Sequence, residues 1–254
     1  MDYENQLRVQ KVLNGIISTV VVLFFLLCAA YALFALYDNQ RIYHQAENVQ
    51  ADMLKLKPQQ TEDDEGASFA ELLAINPEVQ AWITMENTKI DFPILQGENN
   101  LCYINQDVYG NFSVAGSIFL DYRNQPDFSD CYNLLYGHHM ENSNMFGDLD
   151  HYKDEDFFRQ YPHGELLLPE GSFDLTAFAV LLVQSSDEAI FAPQPWEYSW
   201  QENLQYVRVE ALHLDPVLLD SLTEESQILA LTTCSSEFTD ARTVLLTVME
   251  PQNS

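Results

Sequence analysis

The chain contains one thiol with the sequence surroundings of a nucleophile. Cys234 stands at the end of an apolar, β-type run, and Arg242 follows at the start of another such run, residues 244–248. Two neighbouring strands joined by a short loop would bring the thiol and the guanidinium together. A cysteine needs a base or a positive field to become a thiolate, and an acyl-transfer oxyanion needs fixed positive donors. The pair therefore predicts a site for nucleophilic acyl transfer.

A histidine would complete this site, and the obvious source is the segment 136–140, Tyr-Gly-His-His-Met, which also follows an apolar run. His138 and His139 are adjacent, so on an extended segment they point to opposite faces and only one of them faces the thiol. A zinc site made of these two histidines and Cys234 is conceivable, but side-by-side histidines rarely chelate one ion. We predict no metal. The remaining histidines have no motif context and are interpreted as surface residues: His44, His151, His163 and His213.

Five blocks of the sequence, in order, resemble the class B sortases. The resemblance covers about residues 68–250, and its blocks are 75–83, 88–96, 115–124, 136–146 and the Thr-Cys with the following Arg at 233–242. It implies a mostly β fold, a closed eight-stranded sortase-type barrel with N-terminal and crossover helices. A run of short strands bounded by Gly, Asn, Pro and Asp turn signals also favours a closed, mostly antiparallel barrel.

The resemblance also implies an activity. A class B sortase is a cysteine transpeptidase that cleaves a C-terminal sorting signal of secreted proteins, here an NPxTx-like or PxTG-like motif, at its threonine. The acyl group passes to an amine of the peptidoglycan crossbridge or of lipid II. Cys234 would be the nucleophile, Arg242 the oxyanion donor and His138 the acid and base, because the imidazole of the family follows the Tyr-Gly pair directly. No metal or organic cofactor is implied.

Substrate-binding residues are less sharply indicated. The family usually reads Thr-Leu-Ser-Thr-Cys before the nucleophile, whereas this chain reads Ala-Leu-Thr-Thr-Cys at 230–234. Thr232 keeps a hydroxyl where serine is usual, so a hydrogen bond to substrate is retained while the extra methyl alters the pocket. Asn100 and Ile104 stand where groove residues of the family fall, and roles in the core or in a turn fit them equally well.

Other functions stay open at this stage. A pilus-polymerising sortase would use the same site with a pilin lysine as acceptor, and water could hydrolyse the thioester. From a different class, the chain could be a membrane-tethered binding domain with a decayed site. An unreactive Cys234 would favour that last alternative.

The N-terminus predicts a membrane anchor. Residues 15–37 form an uncharged apolar run, which as a helix is roughly 35 Å long and spans a hydrocarbon core of about 30 Å. A cleaved signal peptide would have an apolar core of about 7–15 residues followed by a small-residue site, but the only Ala-x-Ala match, at 30–32, lies inside the run. Bulky Leu27 argues against a lipoprotein at Cys28. The resemblance implies residues 1–14 inside and the catalytic domain outside the cell.

Composition excludes some partners. The formal net charge is −28, from 11 Lys and Arg against 39 Asp and Glu. Nucleic-acid binding needs the opposite sign, so we expect no nucleic-acid partner and a well-hydrated extracellular surface. Besides Cys28 and Cys234, the cysteines are Cys102 and Cys131. We interpret both as ordinary buried thiols, although the sequence does not decide whether they pair.

The organisation follows from these patterns. We expect residues 38–67 to form a helical stalk and an acidic linker, and residues 68–254 to form the catalytic domain. A short helix at 68–73 would be capped by Ser68, with Glu71 completing a capping box. Strands are predicted at 81–85, 89–95, 116–121, 132–136, 165–168, 173–184 and the two final runs, and further helices at 145–152, 155–161, 196–208 and 216–222.

Overall fold

The structure is a computed structural model that describes residues 3–58, 69–140, 143–234 and 240–252, with the backbone alone at Glu4 and Cys234. The chain divides into two compact units, Met1–Gln45 and Ala46–Ser254. The predicted linker falls largely on residues outside these ranges, as does Ser68.

Helix α1 covers Tyr3–Leu54 and contains the apolar run at 15–37. Within the described ranges it is the one helix long and apolar enough to cross a membrane. After Gly15, its first residue, the uncharged run contains neither glycine nor proline. No residue within it therefore interrupts the helix.

Within the described ranges, the main sheet contains nine strands: β1 Val79–Met85, β2 Asp91–Leu95, β3 Ile118–Leu120, β4 Tyr132–Tyr136, β7 His163–Leu168, β8 Gly171–Gln184, β9 Ala211–Leu214, β10 Gln227–Cys234 and β11 Ala241–Pro251. A separate small pair of strands consists of β5 His139–Met140 and β6 Asn144–Met145.

Eight strands of the main sheet close into a barrel, as predicted. Their order is β11-β10-β4-β3-β2-β1-β7-β8, and β8 pairs with β11 to complete the circle. The ninth strand, β9, continues beyond β7 along the same edge of β8. The β2–β3 and β4–β10 pairs are parallel and the others antiparallel.

The helices differ from expectation in places. They are α2 Ala70–Ile75, α3 Glu155–Gln160, α4 Glu188–Phe191, α5 Trp200–Glu210 and α6 Pro216–Ser221, with 3-10 helices at Gly147–Lys153 and Gln194–Glu197. The N-cap of α2 is Phe69, which makes no side-chain capping bond; the predicted cap, Ser68, lies outside the described residues. The helix expected at 145–152 is a 3-10 helix that begins later, because Met145 has a positive φ and belongs to β6. The helix expected at 196–208 is split: the 3-10 helix ends at Glu197 and α5 begins at Trp200, because Ser199 between them has a non-helical backbone conformation.

Strand β10 is buried on both faces, which explains its unbroken apolar sequence. Leu229 and Leu231 belong to a core cluster inside the barrel. Ile228 and Ala230 belong to a second cluster, in which the outer face of the sheet packs against the crossover between β8 and β9 and its helix α5. A strand covered on both sides has a fixed register, and this register positions the residues at its carboxyl end.

The C-terminal end of α1 packs on the barrel within the second unit. Met53 is 1% exposed and joins a third cluster with Trp82 and Leu95. Lys57 Nζ lies 2.9 Å from Asp91 Oδ1 and donates to Thr84 Oγ1 at 2.7 Å. The last turn of α1 and the residues after it are therefore part of the same packed body as the strands.

Cys102 and Cys131 were interpreted as buried thiols; the structure has them as separate thiols, as expected, but half-buried rather than buried. Cys102 and Cys131 are free and half-buried, and Cys28 is free and exposed on α1. Burial, followed by the nearby carboxylates of Glu197 and Asp130, raises the pKa of the Cys131 thiol. Neither Cys102 nor Cys131 forms part of the groove described next.

Candidate active site

A groove of about 370 Å³ opens beside the carboxyl end of β10. Every predicted site residue whose side chain the structure describes lines it: Asn100, Ile104, His138, Thr232 and Arg242. These residues come from the loop after β2, the segment after β4 and the ends of β10 and β11. The fold thus brings together groups that are far apart in the sequence.

Cys234 is the last residue of β10, and its backbone pairs in register with that of Arg242 at the start of β11. Directly opposed residues in an antiparallel pair have Cα atoms about 4.5–5.5 Å apart. Arg242 in turn pairs with Val183 of β8, so the guanidinium-bearing residue sits between two strands. The proximity of the two positions expected from the sequence is therefore present in the backbone.

The guanidinium of Arg242 is half-buried and donates through Nη1 to the carbonyl oxygen of Ala241 at 3.0 Å. Among the described residues, none of the ion pairs includes Arg242. Of the two acidic residues between Cys234 and Arg242, Glu237 lies outside those residues and Asp240 is exposed. The remaining donors of a planar, permanently charged fork suit a carbonyl or an oxyanion.

The imidazole of His138 is held by a backbone carbonyl. Nε2 lies 2.7 Å from the carbonyl oxygen of Ile104. A carbonyl oxygen is an acceptor only, so Nε2 carries the hydrogen in this arrangement and Nδ1 is the nitrogen left to exchange a proton. His139 bonds elsewhere, with Nε2 2.8 Å from Asp150 Oδ2. The two imidazoles therefore serve different partners, and His138 is the one that lines the groove.

Two glycines make this placement possible. A Cβ on Gly137 would come within 2.5 Å of Ile118 Cδ1 and 2.6 Å of Phe146. Without one, the Gly137 N–H reaches the carbonyl oxygen of Thr232 at 3.1 Å. Gly116 has a φ of +60°, and a Cβ there would overlap the carbonyl oxygen of Ile104, the acceptor of His138. The second glycine was not identified from the sequence.

Thr232 is 1% exposed and its hydroxyl donates to the carbonyl oxygen of Leu135 at 2.8 Å. Its hydrogen is thus committed to the neighbouring strand, and toward a ligand the oxygen acts as an acceptor. Asn100 donates through Nδ2 to Asp121 Oδ2 at 2.8 Å and accepts from the backbone N–H of Tyr122 at 3.0 Å. Its amide is therefore fixed in place at the edge of the groove.

The rest of the wall is largely aromatic. Tyr136 stacks on Phe119 with centroids 5.3 Å apart and faces Phe191 at 6.4 Å. Tyr136 and Phe119 lie inside blocks that the sequence singled out, but their stacking was not foreseen. Phe191 belongs to α4, which has no helix-length pattern in the sequence. Together with Leu101 these side chains give the groove a largely apolar lining, to which His138 adds an imidazole and Arg242 a cation.

Comparison with known proteins finds sortases of class B among both the curated relatives and the solved structures. A scan against protein-family models found no match. The Sortase B of Listeria monocytogenes is 30% identical over 167 residues, covering 66% of this chain and 67% of the relative. The Sortase B of Staphylococcus aureus is 27% identical over 172 residues, covering 68% and 69%.

Solved structures agree. A Streptococcus pyogenes class B sortase involved in pilus biogenesis is 37% identical with a TM-score of 0.67, covering 72% of this chain and 98% of that one. A Staphylococcus aureus sortase B–substrate complex is 26% identical with a TM-score of 0.66, covering 73% and 85%. A protein of Bacillus anthracis similar to sortase B is 28% identical with a TM-score of 0.69, covering 85% and 98%.

Proposed function

Since this chain belongs to the class B sortase family and is a sortase transpeptidase, we propose that it attaches secreted proteins to the cell wall from a membrane-anchored position. Its substrate is a C-terminal sorting signal of the NPxTx or PxTG kind, cleaved after threonine. Its acceptor is an amine of the peptidoglycan crossbridge or of lipid II. The observation that carries the proposal is the groove, where residues predicted from separate motifs converge beside the paired positions 234 and 242.

The proposed chemistry uses three residues. The Cys234 thiolate attacks the threonine carbonyl carbon, and the resulting oxyanion is stabilised by Arg242. As the peptide C–N bond breaks, His138 in its imidazolium form gives a proton to the leaving amine. An acceptor amine then attacks the thioester, His138 takes the proton of that amine, and the Cys234 thiolate leaves. The net change is exchange of one amine for another on the threonine acyl group.

Contacts of the described residues support these roles. The bond from His138 Nε2 to Ile104 O leaves Nδ1 for the proton transfers. A protonated imidazole keeps that bond, since both of its nitrogens are donors. Among the described residues, Arg242 donates one hydrogen bond, to the carbonyl oxygen of Ala241, and its other N–H groups are left to bind the substrate carbonyl. Thr232 and Asn100 are proposed to orient the peptide, with the Thr232 oxygen as an acceptor.

The anchor and its orientation belong to the same proposal. Helix α1 is long and apolar enough to span a bilayer, and the proposed substrates and acceptors are found outside the cell. We therefore place residues 15–37 in the membrane, residues 1–14 in the cytoplasm and the barrel outside. Thiol labelling of intact cells at a cysteine introduced on the barrel surface, with a membrane-impermeant reagent, tests this; protection until the cells are lysed would contradict it.

The activity is tested with quenched sorting peptides and the full-length protein in detergent, with and without triglycine. We expect cleavage that requires Cys234, and a product joined to triglycine when the amine is present. The matched control is Cys131→Ala, which removes a half-buried thiol that does not line the groove and should keep the activity. Cleavage that survives in Cys234→Ala would overturn the assignment of the nucleophile.

A second candidate is favoured by one comparison. The Streptococcus pyogenes relative, 37% identical, is described as involved in pilus biogenesis, so this chain could transfer its acyl group to a pilin lysine. The same assay decides: a peptide with a free lysine ε-amine as acceptor would outcompete triglycine if the protein polymerises pilins, whereas preference for triglycine supports anchoring.

A further inference from the structure

An ion pair between the buried carboxylate of Asp121 and the half-buried guanidinium of Arg123 contacts residues of the groove wall. Asp121 follows β3 directly and is 0% exposed. Its two carboxylate oxygens accept from the guanidinium of Arg123, at 2.8 Å from Nε and 2.7 Å from Nη2, and Oδ1 also accepts from the Arg123 backbone N–H at 2.9 Å. A buried carboxylate is retained as a charge only when it is paired and hydrogen-bonded, and here both conditions are met.

Two residues of the groove donate to the same carboxylate. Asn100 Nδ2 and the Tyr136 hydroxyl lie 2.8 Å and 3.0 Å from Asp121 Oδ2. Burial by itself would raise the pKa of Asp121, but the hydrogen bonds from Arg123 and Asn100 and the charge of Arg123 lower it. The pKa of the Tyr136 hydroxyl is raised by burial and by this carboxylate. One ionised group therefore fixes the loop after β2 and the end of β4.

Arg123 extends the connection to the crossover. Its Nη2 also donates to the carbonyl oxygen of Phe191 at 2.7 Å, at the end of α4 in the crossover. The ring of Phe191 stacks beside that of Tyr136 in the wall of the groove, with centroids 6.4 Å apart. A planar fork of donors reaches a carboxylate and a carbonyl at once, which an ammonium group does not reproduce.

We propose that the Asp121–Arg123 pair positions the wall of the peptide groove by joining Asn100 and Tyr136 to Phe191 of the crossover. It acts through the wall residues, because no hydrogen bond among the described residues joins Asp121 or Arg123 to His138 or Arg242. The inference rests on the proposed function for its substrate, a sorting peptide. It predicts that loss of the bridge weakens peptide binding and leaves the reactivity of the thiol unchanged.

The test compares Arg123→Lys with Arg159→Lys in the full-length protein. Arg159 pairs with Glu155 on the exposed face of α3, so its variant controls for loss of an arginine–carboxylate pair away from the groove. Lysine at 123 keeps a positive charge for Asp121 but does not also hold Phe191. We expect KM for the sorting peptide to rise roughly tenfold, the scale of one hydrogen bond to a charged group, with kcat and the iodoacetamide alkylation rate of Cys234 little changed. Arg159→Lys should match the parent protein.

Hydrogen–deuterium exchange separates the inference from the proposed function. Residues 188–197 should exchange faster in Arg123→Lys than in the parent, with no peptide present. If the parent protein cleaves no sorting peptide, the proposed function fails while exchange still decides the positioning role. An unchanged KM, unchanged exchange, or parallel losses of kcat and alkylation would each overturn the inference. Should Arg123→Lys not fold, Tyr136→Phe removes only the hydroxyl bond to Asp121 and must still raise KM, by a smaller factor.

Discussion

Substitution of Gly116 by alanine tests how His138 is held. Gly116 has a φ of +60° and its N–H bonds to the carbonyl oxygen of Ser113. An added Cβ would overlap the carbonyl oxygen of Ile104 and come within 2.7 Å of that of Tyr103. Both obstacles are backbone atoms, so neither gives way by a side-chain rotation. The displaced carbonyl of Ile104 is the one that accepts from His138 Nε2 at 2.7 Å.

The free-energy cost of Gly116→Ala has two parts. The left-handed backbone costs an alanine about 1–2 kcal/mol. Relief of the overlap requires a backbone shift of about 0.5–1 Å. This shift lengthens the hydrogen bond from His138 Nε2 to the carbonyl oxygen of Ile104 to the limit of hydrogen bonding. Loss of a bond to a group that is charged in the reaction costs about 1.5–3 kcal/mol. We therefore expect kcat/KM to fall about 10- to 100-fold and the free energy of unfolding to fall by about 2–4 kcal/mol.

Gly110 provides the matched control. It also has a positive φ, +82°, but an added Cβ would meet only the flexible end of Gln106, at 3.4 Å. Gly110→Ala should therefore show the backbone cost alone, with unchanged kcat/KM. Urea unfolding and peptide-cleavage kinetics on both variants are the measurements. Equal kcat/KM in Gly116→Ala and Gly110→Ala would refute the reasoning that Ile104 positions the imidazole.

Three further predictions concern single groups. His138→Ala should lower kcat/KM for peptide transfer by at least about 10³-fold. His139→Ala removes only the hydrogen bond of an exposed histidine to the half-buried carboxylate of Asp150 and should stay within about threefold of the parent; equal losses would contradict the assignment of His138 as the catalytic histidine. Folding lowers the pKa of Asp121 from its ordinary value of 3.8. The ionised carboxylate therefore contributes fully to the stability of the folded protein above pH 3.8, and this contribution is lost as the pH falls through the lower pKa of the folded state. The gap in melting temperature between the parent and Asp121→Asn should therefore narrow below about pH 4, and a constant gap would exclude this origin. Met53→Ala, at a 1% exposed position, should lower the unfolding free energy by about 2–5 kcal/mol, while the neighbouring Leu54→Ala, 41% exposed, should cost well under half as much in the same urea titration.

The strands were predictable because they carry strong local signals, whereas the closed eight-stranded barrel was implied by the family resemblance. The 132–136 run appears as β4 with the same bounds, and the two final apolar runs appear as the paired β10 and β11. Groups at the ends of neighbouring strands must be close, so the pairing of positions 234 and 242 followed from pattern alone. Adjacent histidines on opposite faces likewise implied that only one would reach the groove.

Other parts of the groove depend on tertiary contacts that leave no pattern. Helix α4 has four residues, too few for a periodic signal, yet it supplies Phe191. The 3-10 helix at Gly147–Lys153 was predicted as an ordinary helix because i,i+3 and i,i+4 spacings of apolar residues look alike over two turns. The role of Gly116 depends on the approach of two distant backbone segments, which composition does not encode.

The most direct test of the central proposal is to trap the acyl-enzyme. The full-length protein in detergent is mixed with a sorting peptide without any added amine, quenched in acid and examined by intact-protein mass spectrometry followed by peptide mapping. The account predicts an added mass equal to the peptide acyl portion ending in threonine, removable by hydroxylamine and located on Cys234. Peptide cleavage with no such adduct in the parent or in His138→Ala, or an adduct located on Cys28, Cys102 or Cys131, would contradict covalent catalysis by Cys234.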